Sequence, residues 1–171
     1  MAWSSIPKPP ASLRRNPNLG DYERACRESP WRAAAEMLEG LPGGALNMAH
    51  EALDRHASGA LADQRAIRFL AAGAAPRDLT YRELAAEAHR FANVLTRLGV
   101  GRGDRVATLM GRIPALYAAV LGTLEAGAVY CPLFSAFGPE PVKARLALGS
   151  VRVLLTTDLY YRRKVAPIRA E

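Results

Sequence analysis

The chain has 171 residues, half of them apolar, which is enough to build a core and excludes disorder throughout. Its 23 lysines and arginines against 16 acids leave a formal charge of +7, a bias toward anionic partners that does not name one. Gly, Pro or charge breaks every apolar stretch well short of the roughly 20 residues of a membrane span, and the N-terminus lacks a basic-then-apolar leader. The expectation is a cytoplasmic protein without membrane contact, in which Cys26 and Cys131 are reduced thiols.

Residues 1–20 carry Pro7, Pro9, Pro10 and Pro17 with Arg14 and Arg15, a composition that suits an extended arm. Residues 21–65 read as a helical lead-in. Its first part, Asp21 to Leu38, is helical in two pieces, with Ser29 as a cap, Pro30 at a first helical position, and Trp31, Met37 and Leu38 on the buried side. The Leu41 to Gly44 breaker precedes a helix over Leu46 to Ala57, where Asn47 caps and Ala49, Leu53 and Ala57 recur every four residues. His50 and Glu51 invite comparison with a zinc-protease helix. That motif needs a second histidine four residues on, where Asp54 stands instead, so no metal site is expected.

Ala66 to Leu70 alternates like a strand, and a loose Ala, Gly and Pro segment runs on to Asp78. Thr80 and Glu83 then have the spacing of a capping box, and Leu84, Ala88, Phe91, Leu95 and Leu98 follow as one apolar face closed by Gly99. His89 sits beside that face as a structural histidine. Gly99, Gly101 and Gly103 do not form a phosphate loop, because such a loop follows a strand and opens a helix, and this run does the reverse. Next come a strand over Arg105 to Met110 and a helix over Ala115 to Ala126 with Leu116, Ala119, Val120, Thr123 and Leu124 inward. A strand over Ala128 to Phe134, a helix over Pro139 to Leu148 and a strand over Val151 to Thr157 complete the run. The fold class is α/β, a partial βαβαβ sheet layer over residues 66–171. Ligands of such sheets bind where chains leave the carboxyl ends of strands: Gly111 to Pro114, Phe134 to Pro139 and Thr157 onward.

Three stretches carry a family resemblance: LNMAHEALDRHA from Leu46, LTYRELAAEAHRFANVLTRLGVGRGDRVA from Leu79, and PALYAAVLGTLEAGAVYCPLFSAFGPEPVKARL from Pro114. With the NLGDYE opening, their order is similar to the N-terminal part of the adenylate-forming acyl-CoA synthetases, most closely the AMP-forming acetyl-CoA synthetase branch. The resemblance implies the opening layer of that family's large N-terminal domain, incomplete at its C-terminus. It also implies a parent reaction that joins an acid to ATP with magnesium and passes the acyl group to coenzyme A. The family's Ser/Thr/Gly-rich loop ending in Pro-Lys-Gly is absent from the sequence, as are its later acids and catalytic lysine. No catalytic residue and no ATP or magnesium site is therefore assigned to this chain, which alone should not catalyse the reaction.

The resemblance further implies coenzyme A contact at Phe134, Ser135 and Ala136 after the second strand, and phosphate contact at Arg162, Arg163 and Lys164 after the third. Small side chains let a backbone approach a ligand, and arginine grips phosphate in a fork. Ser135 and Ala136 replace a frequent Gly pair, and Arg163 or Lys164 must stand in for a second arginine that would fall near Val165. The expected partners are coenzyme A and the remainder of a synthetase domain. A stand-alone module that binds coenzyme A or a nucleotide, or that associates with a synthetase, is the alternative. Nucleic acid is not expected, since charge alone speaks for it and no aromatic-interleaved basic patch is present.

Overall fold

A computed structural model describes residues 21–28, 30–71, 73–162 and 164–167, the last two strands by their backbone alone. The expected N-terminal arm and the Ser29 cap lie outside the described residues. Two compact units divide at Leu38 and Glu39.

In the first unit, α1 (Tyr22–Arg27) starts where the Asp21 carboxylate accepts the Arg24 N–H at 3.1 Å, and α2 spans Pro30–Glu36. The two helical pieces match the sequence reading. The expected buried side does not: Trp31 is 84% exposed, and Met37 and Leu38 are exposed too. Both helices are under two turns long, which gives each only a narrow apolar side.

The second unit begins at a Pro42–Gly44 turn in which Gly43 and Gly44 adopt φ of 81° and 77°, a region side chains rarely enter. The predicted Asn47 cap is present, its Oδ1 accepting from the Ala49 N–H at 2.8 Å. The helix behind it contains a π-helical turn, His50–Asp54, that runs into α3 (Arg55–Ala57). Ala49 and Leu53 are buried as the spacing predicts.

Strand β1 (Arg65–Phe69) pairs antiparallel with β2 (Arg77–Thr80), a strand within the segment read as loose. Pairing supplies what local pattern lacks, since β2 holds a single apolar residue, Leu79, and buries it against Leu53, Leu84 and Ala88. Across the hairpin Arg68 donates to Asp78 at 2.6 and 2.7 Å, holding that carboxyl down at about 2, with Arg65 adding a weaker contact. Helix α4 (Tyr81–Arg97) opens on the predicted capping box: the Glu83 N–H donates to Thr80 Oγ1 at 3.2 Å and the Thr80 N–H to Glu83 Oε2 at 2.8 Å. It closes with Gly99 at φ 74° and the Val100 N–H on the Leu95 carbonyl at 3.0 Å, while Val100 packs on Leu95. Leu84, Ala88 and Leu95 are buried; Leu98, expected on the same face, is 56% exposed because it is the cap residue, where the chain turns away.

The glycine run lies in the helix-to-strand turn that leads to β3 (Arg105–Leu109). Helix α5 (Pro114–Glu125), β4 (Val129–Pro132), α6 (Pro139–Leu148) and β5 (Val151–Thr156) follow, giving the expected βαβαβ order. The three strands are parallel in the order β4-β3-β5, with Val106, Ala107 and Thr108 of the central strand buried. The buried stripe of α5 keeps Ala119 and Thr123 from the expected set and adds Ala118 and Gly122, while the bulkier Leu116, Val120 and Leu124 are half-buried. The helix is apolar nearly all round, so periodicity could not single out a face, and α4 lies too close for large side chains. Beyond β5, β6 (Leu159–Arg162) pairs antiparallel with β7 (Lys164–Pro167). No helix among the described residues is long and apolar enough to cross a membrane.

Candidate functional site

Parallel register brings the three strand exits to one end of the sheet, since Thr108 pairs with Pro132 and with Leu155. The Leu133 N–H donates to the Thr108 carbonyl at 2.9 Å, and Thr156 Oγ1 donates to the Leu109 carbonyl at 3.0 Å, so both outer exits are tied to the central one. Between α4, α5 and the β5 exit lies a cleft of about 470 Å³ with an apolar floor of Phe91, Met110, Ile113 and Leu155. Thr157 Oγ1 is buried beside it with no hydrogen-bond partner among the described residues. Clefts at this switch of strand order are where open α/β sheets take ligands.

The loop after β4 carries the first predicted set. A turn closes as the Phe137 N–H donates to the Phe134 carbonyl at 3.0 Å. Phe134 and Phe137 meet edge to face, centroids 5.6 Å apart at 82°, and the Arg145 guanidinium lies 4.0 Å above the Phe137 ring. Phe134 is 56% exposed, which sets aside the core role its place at a strand end would otherwise suggest. Ser135 is half-buried and Ala136 exposed. The second set sits on the terminal hairpin, where Arg162 and Lys164 are paired backbone positions and Arg163 lies outside the described residues. With β3 between β4 and β5, the strands that precede the two sets lie at opposite edges of the sheet, their exits two strand spacings or about 10 Å apart.

A second polar group, which spacing did not reveal, joins the lead-in to α4 and α5. His89 Nε2 stands 3.2 Å from Asp54 Oδ1 and 3.8 Å from Glu125 Oε2, an oxygen that is buried with no hydrogen bond from the described residues. Asn47 Nδ2 reinforces the junction by donating to the Leu124 carbonyl at 2.9 Å. Burial pushes the Glu125 carboxyl up, the His89 ring opposes that, and Asp54 adds to it. The folded protein therefore holds a proton on Glu125 more tightly than the unfolded chain does. That contribution is complete below the unfolded carboxylate range and is lost as pH rises through the raised folded value. Glu125→Gln mimics the protonated form, so its urea midpoint should exceed the parent's at pH 7.5, with the gap closing toward pH 4. A lower midpoint at pH 7.5 would show that the charged carboxylate is the favoured form.

His50 and Glu51 are absorbed by other partners. The Glu51 carboxyl is held down first by the Gly40 N–H at 2.7 Å and also by Arg55 at 2.7 Å, while His50 Nε2 lies 3.6 Å from Glu39. Among the described residues no group of three His, Cys, Asp or Glu converges as metal ligands. Cys26 and Cys131 are free thiols.

Comparison with known proteins agrees with this architecture. The chain is similar to the acetyl-coenzyme A synthetase of Bacillus subtilis, 39% identical over 143 residues that cover 82% of this chain and 24% of that protein. It is 34% identical over 139 residues to the 3-hydroxypropionyl-coenzyme A synthetase of Sulfurisphaera tokodaii, covering 78% of this chain and 21% of that one. The crystal structure of Brucella canis acyl-CoA synthetase superposes with a TM-score of 0.73 at 32% identity, over 79% of this chain and 24% of that one. The chain thus spans about a quarter of the length of the relatives it matches. The family model described as AMP-binding enzyme matches residues 53–171, most of the chain and all of its parallel sheet, so the protein belongs to the AMP-binding enzyme family.

Proposed function

We propose that this chain forms the first α/β layer of an acetyl-CoA synthetase-like ligase and supplies part of its coenzyme A contact. The parent reaction runs from acid and ATP through an acyl-adenylate and pyrophosphate to acyl-CoA and AMP. The exposed Phe134 at the β4 exit carries this reading: it is a planar apolar surface held at the ligand-binding end of the sheet and followed by small residues. In this reading Phe134 offers its face to the adenine of coenzyme A, and Ser135 and Ala136 let the ligand near the backbone. Arg162, Arg163 and Lys164 supply charge for the phosphates. Residues 66–171 would be the AMP-binding portion, 21–65 a helical lead-in and 1–20 an arm. No run ending in Pro-Lys-Gly occurs in the 171 residues, so this reading assigns them no triphosphate or magnesium site. The positioned donors that adenylyl transfer needs would have to come from the remainder of a synthetase domain.

Two measurements test the reading. Acetate-dependent ATP–pyrophosphate exchange should be absent from the purified chain, and clear exchange would overturn the assigned incompetence. Calorimetric titration should detect coenzyme A binding that Phe134→Ala weakens about fivefold or more, the lower end of base stacking on an aromatic side chain. Unchanged binding in that variant would remove Phe134 from the site. The unit from Glu39 onward has two buried clusters of its own, which favours a second reading as a stand-alone coenzyme A-binding or synthetase-associating module. Added to a complete acetyl-CoA synthetase, such a module would change the enzyme's rate, whereas a ligase segment would not.

A further inference from the structure

Phe134 is exposed, yet it is held from two sides. The main-chain turn from the Phe134 carbonyl to the Phe137 N–H sets its backbone, and the Phe137 ring meets its ring at 82°. Phe137 is itself covered. Arg145 reaches back from the second half of α6, donates Nη1 to the Pro141 carbonyl at 3.1 Å, and lays its guanidinium 4.0 Å above the Phe137 ring. The three side chains form a chain of contacts from α6 to the strand exit, with Arg145 at one end and the open surface of Phe134 at the other.

An exposed aromatic ring left to rotate pays for ordering when a planar ligand stacks on it, and a ring already held does not. We propose that Arg145 is a positioning residue: acting through Phe137, it fixes the orientation in which Phe134 meets a purine ring. The proposal rests on the coenzyme A reading of the same loop. Arg145 does not touch the ligand in this arrangement; its cation serves the Phe137 π-face, and the bond to Pro141 keeps the guanidinium over that face.

Arg145→Gln removes the cation and Arg145→Lys restores it, so the pair separates charge over the ring from simple bulk. In the 171-residue chain without ligand, Arg145→Gln should raise amide exchange across residues 134–138 about two- to fivefold, the equivalent of one exposed cation–π contact. Arg145→Lys should stay close to the parent, as should exchange in α4 and α5 in both variants. Coenzyme A should bind Arg145→Gln about two- to fivefold more weakly. In the Phe134→Ala background the same change should have no further effect, because the ring that Arg145 positions is gone.

Unchanged loop exchange in Arg145→Gln overturns the proposal. So does a rise spread equally over the whole sheet, which would mark a merely structural residue, and so does full additivity with Phe134→Ala. Failure of the parent chain to bind coenzyme A at millimolar concentration overturns the coenzyme A reading and the purine part of this proposal with it. The ligand-free exchange still decides whether Arg145 orders the loop.

Discussion

Replacing Gly122 by alanine is expected to destabilise the protein by about 2 kcal/mol, although alanine is the better helix former. A Cβ at Gly122 would lie 2.5 Å from the Ala88 carbonyl oxygen, 3.0 Å from the Ala92 nitrogen and 3.2 Å from the Phe91 Cβ. Two of those atoms belong to the α4 backbone and cannot rotate away, so the helices must separate. Overpacking of this kind costs about 3 kcal/mol at the upper end of its usual range, against a gain of about 1 kcal/mol in helix propensity. Gly101, which has nothing within 4 Å of its virtual Cβ, is the control: Gly101→Ala should change stability by no more than about 0.5 kcal/mol. Urea unfolding of both variants decides the matter, and a Gly122→Ala midpoint at or above the parent's would mean that α4 and α5 pack less closely than described.

Leu95→Ala should be costlier still, at about 2–5 kcal/mol, a large part of the roughly 5–15 kcal/mol that holds an ordinary domain together. Leu95 is 0% exposed and packs with Val100, Val106 and Ala128 where α4, its cap and the central strand converge, with Phe91 and Val153 closing the cluster. Removing the isopropyl group beyond Cβ leaves a void that a rigid helix end and a three-stranded sheet cannot fill. Leu98→Ala, three residues on, should cost well under 1 kcal/mol, because that side chain already stands in water. Equal losses from the two variants would place the core elsewhere.

Leu95 and Leu98 also show where the sequence stops being informative. The four-and-three spacing puts both on one face of α4, and only the direction the chain takes after its Gly99 cap separates them. The capping box at Thr80 was legible because its partners are three residues apart and need nothing beyond their own turn. Strand β2 was not, because Arg77–Thr80 is extended by its pairing with β1 and contains a single apolar residue to signal it. The small-residue stripe of α5 was legible only at Ala119 and Thr123, and Ala118 and Gly122 were missed for a related reason: a helix apolar on most sides does not announce which side another backbone will approach. Burial of Trp31 and Met37 was expected from their type alone, and both are exposed.

The candidate site divides in the same way. Phe134 could be placed at a strand exit by reading the order of elements, and its family resemblance lay in the residues around it. Its exposure, the edge contact with Phe137 and the cover from Arg145 depend on how α6 returns past the loop. The Asp54, His89 and Glu125 group is assembled from three elements more than thirty positions apart, so no spacing rule could find it.

Sequence by itself determined the order of helices and strands in the sheet layer, the caps of α4 and the membership in an AMP-binding family. These depend on contacts within a few residues or on the linear arrangement of stretches. Tertiary structure alone decided the strand order β4-β3-β5, and with it the placing of the β4 and β5 exits at opposite edges of one end of the sheet. Strand neighbours are chosen by side-chain packing and backbone pairing between segments tens of residues apart, and local periodicity holds no record of that choice.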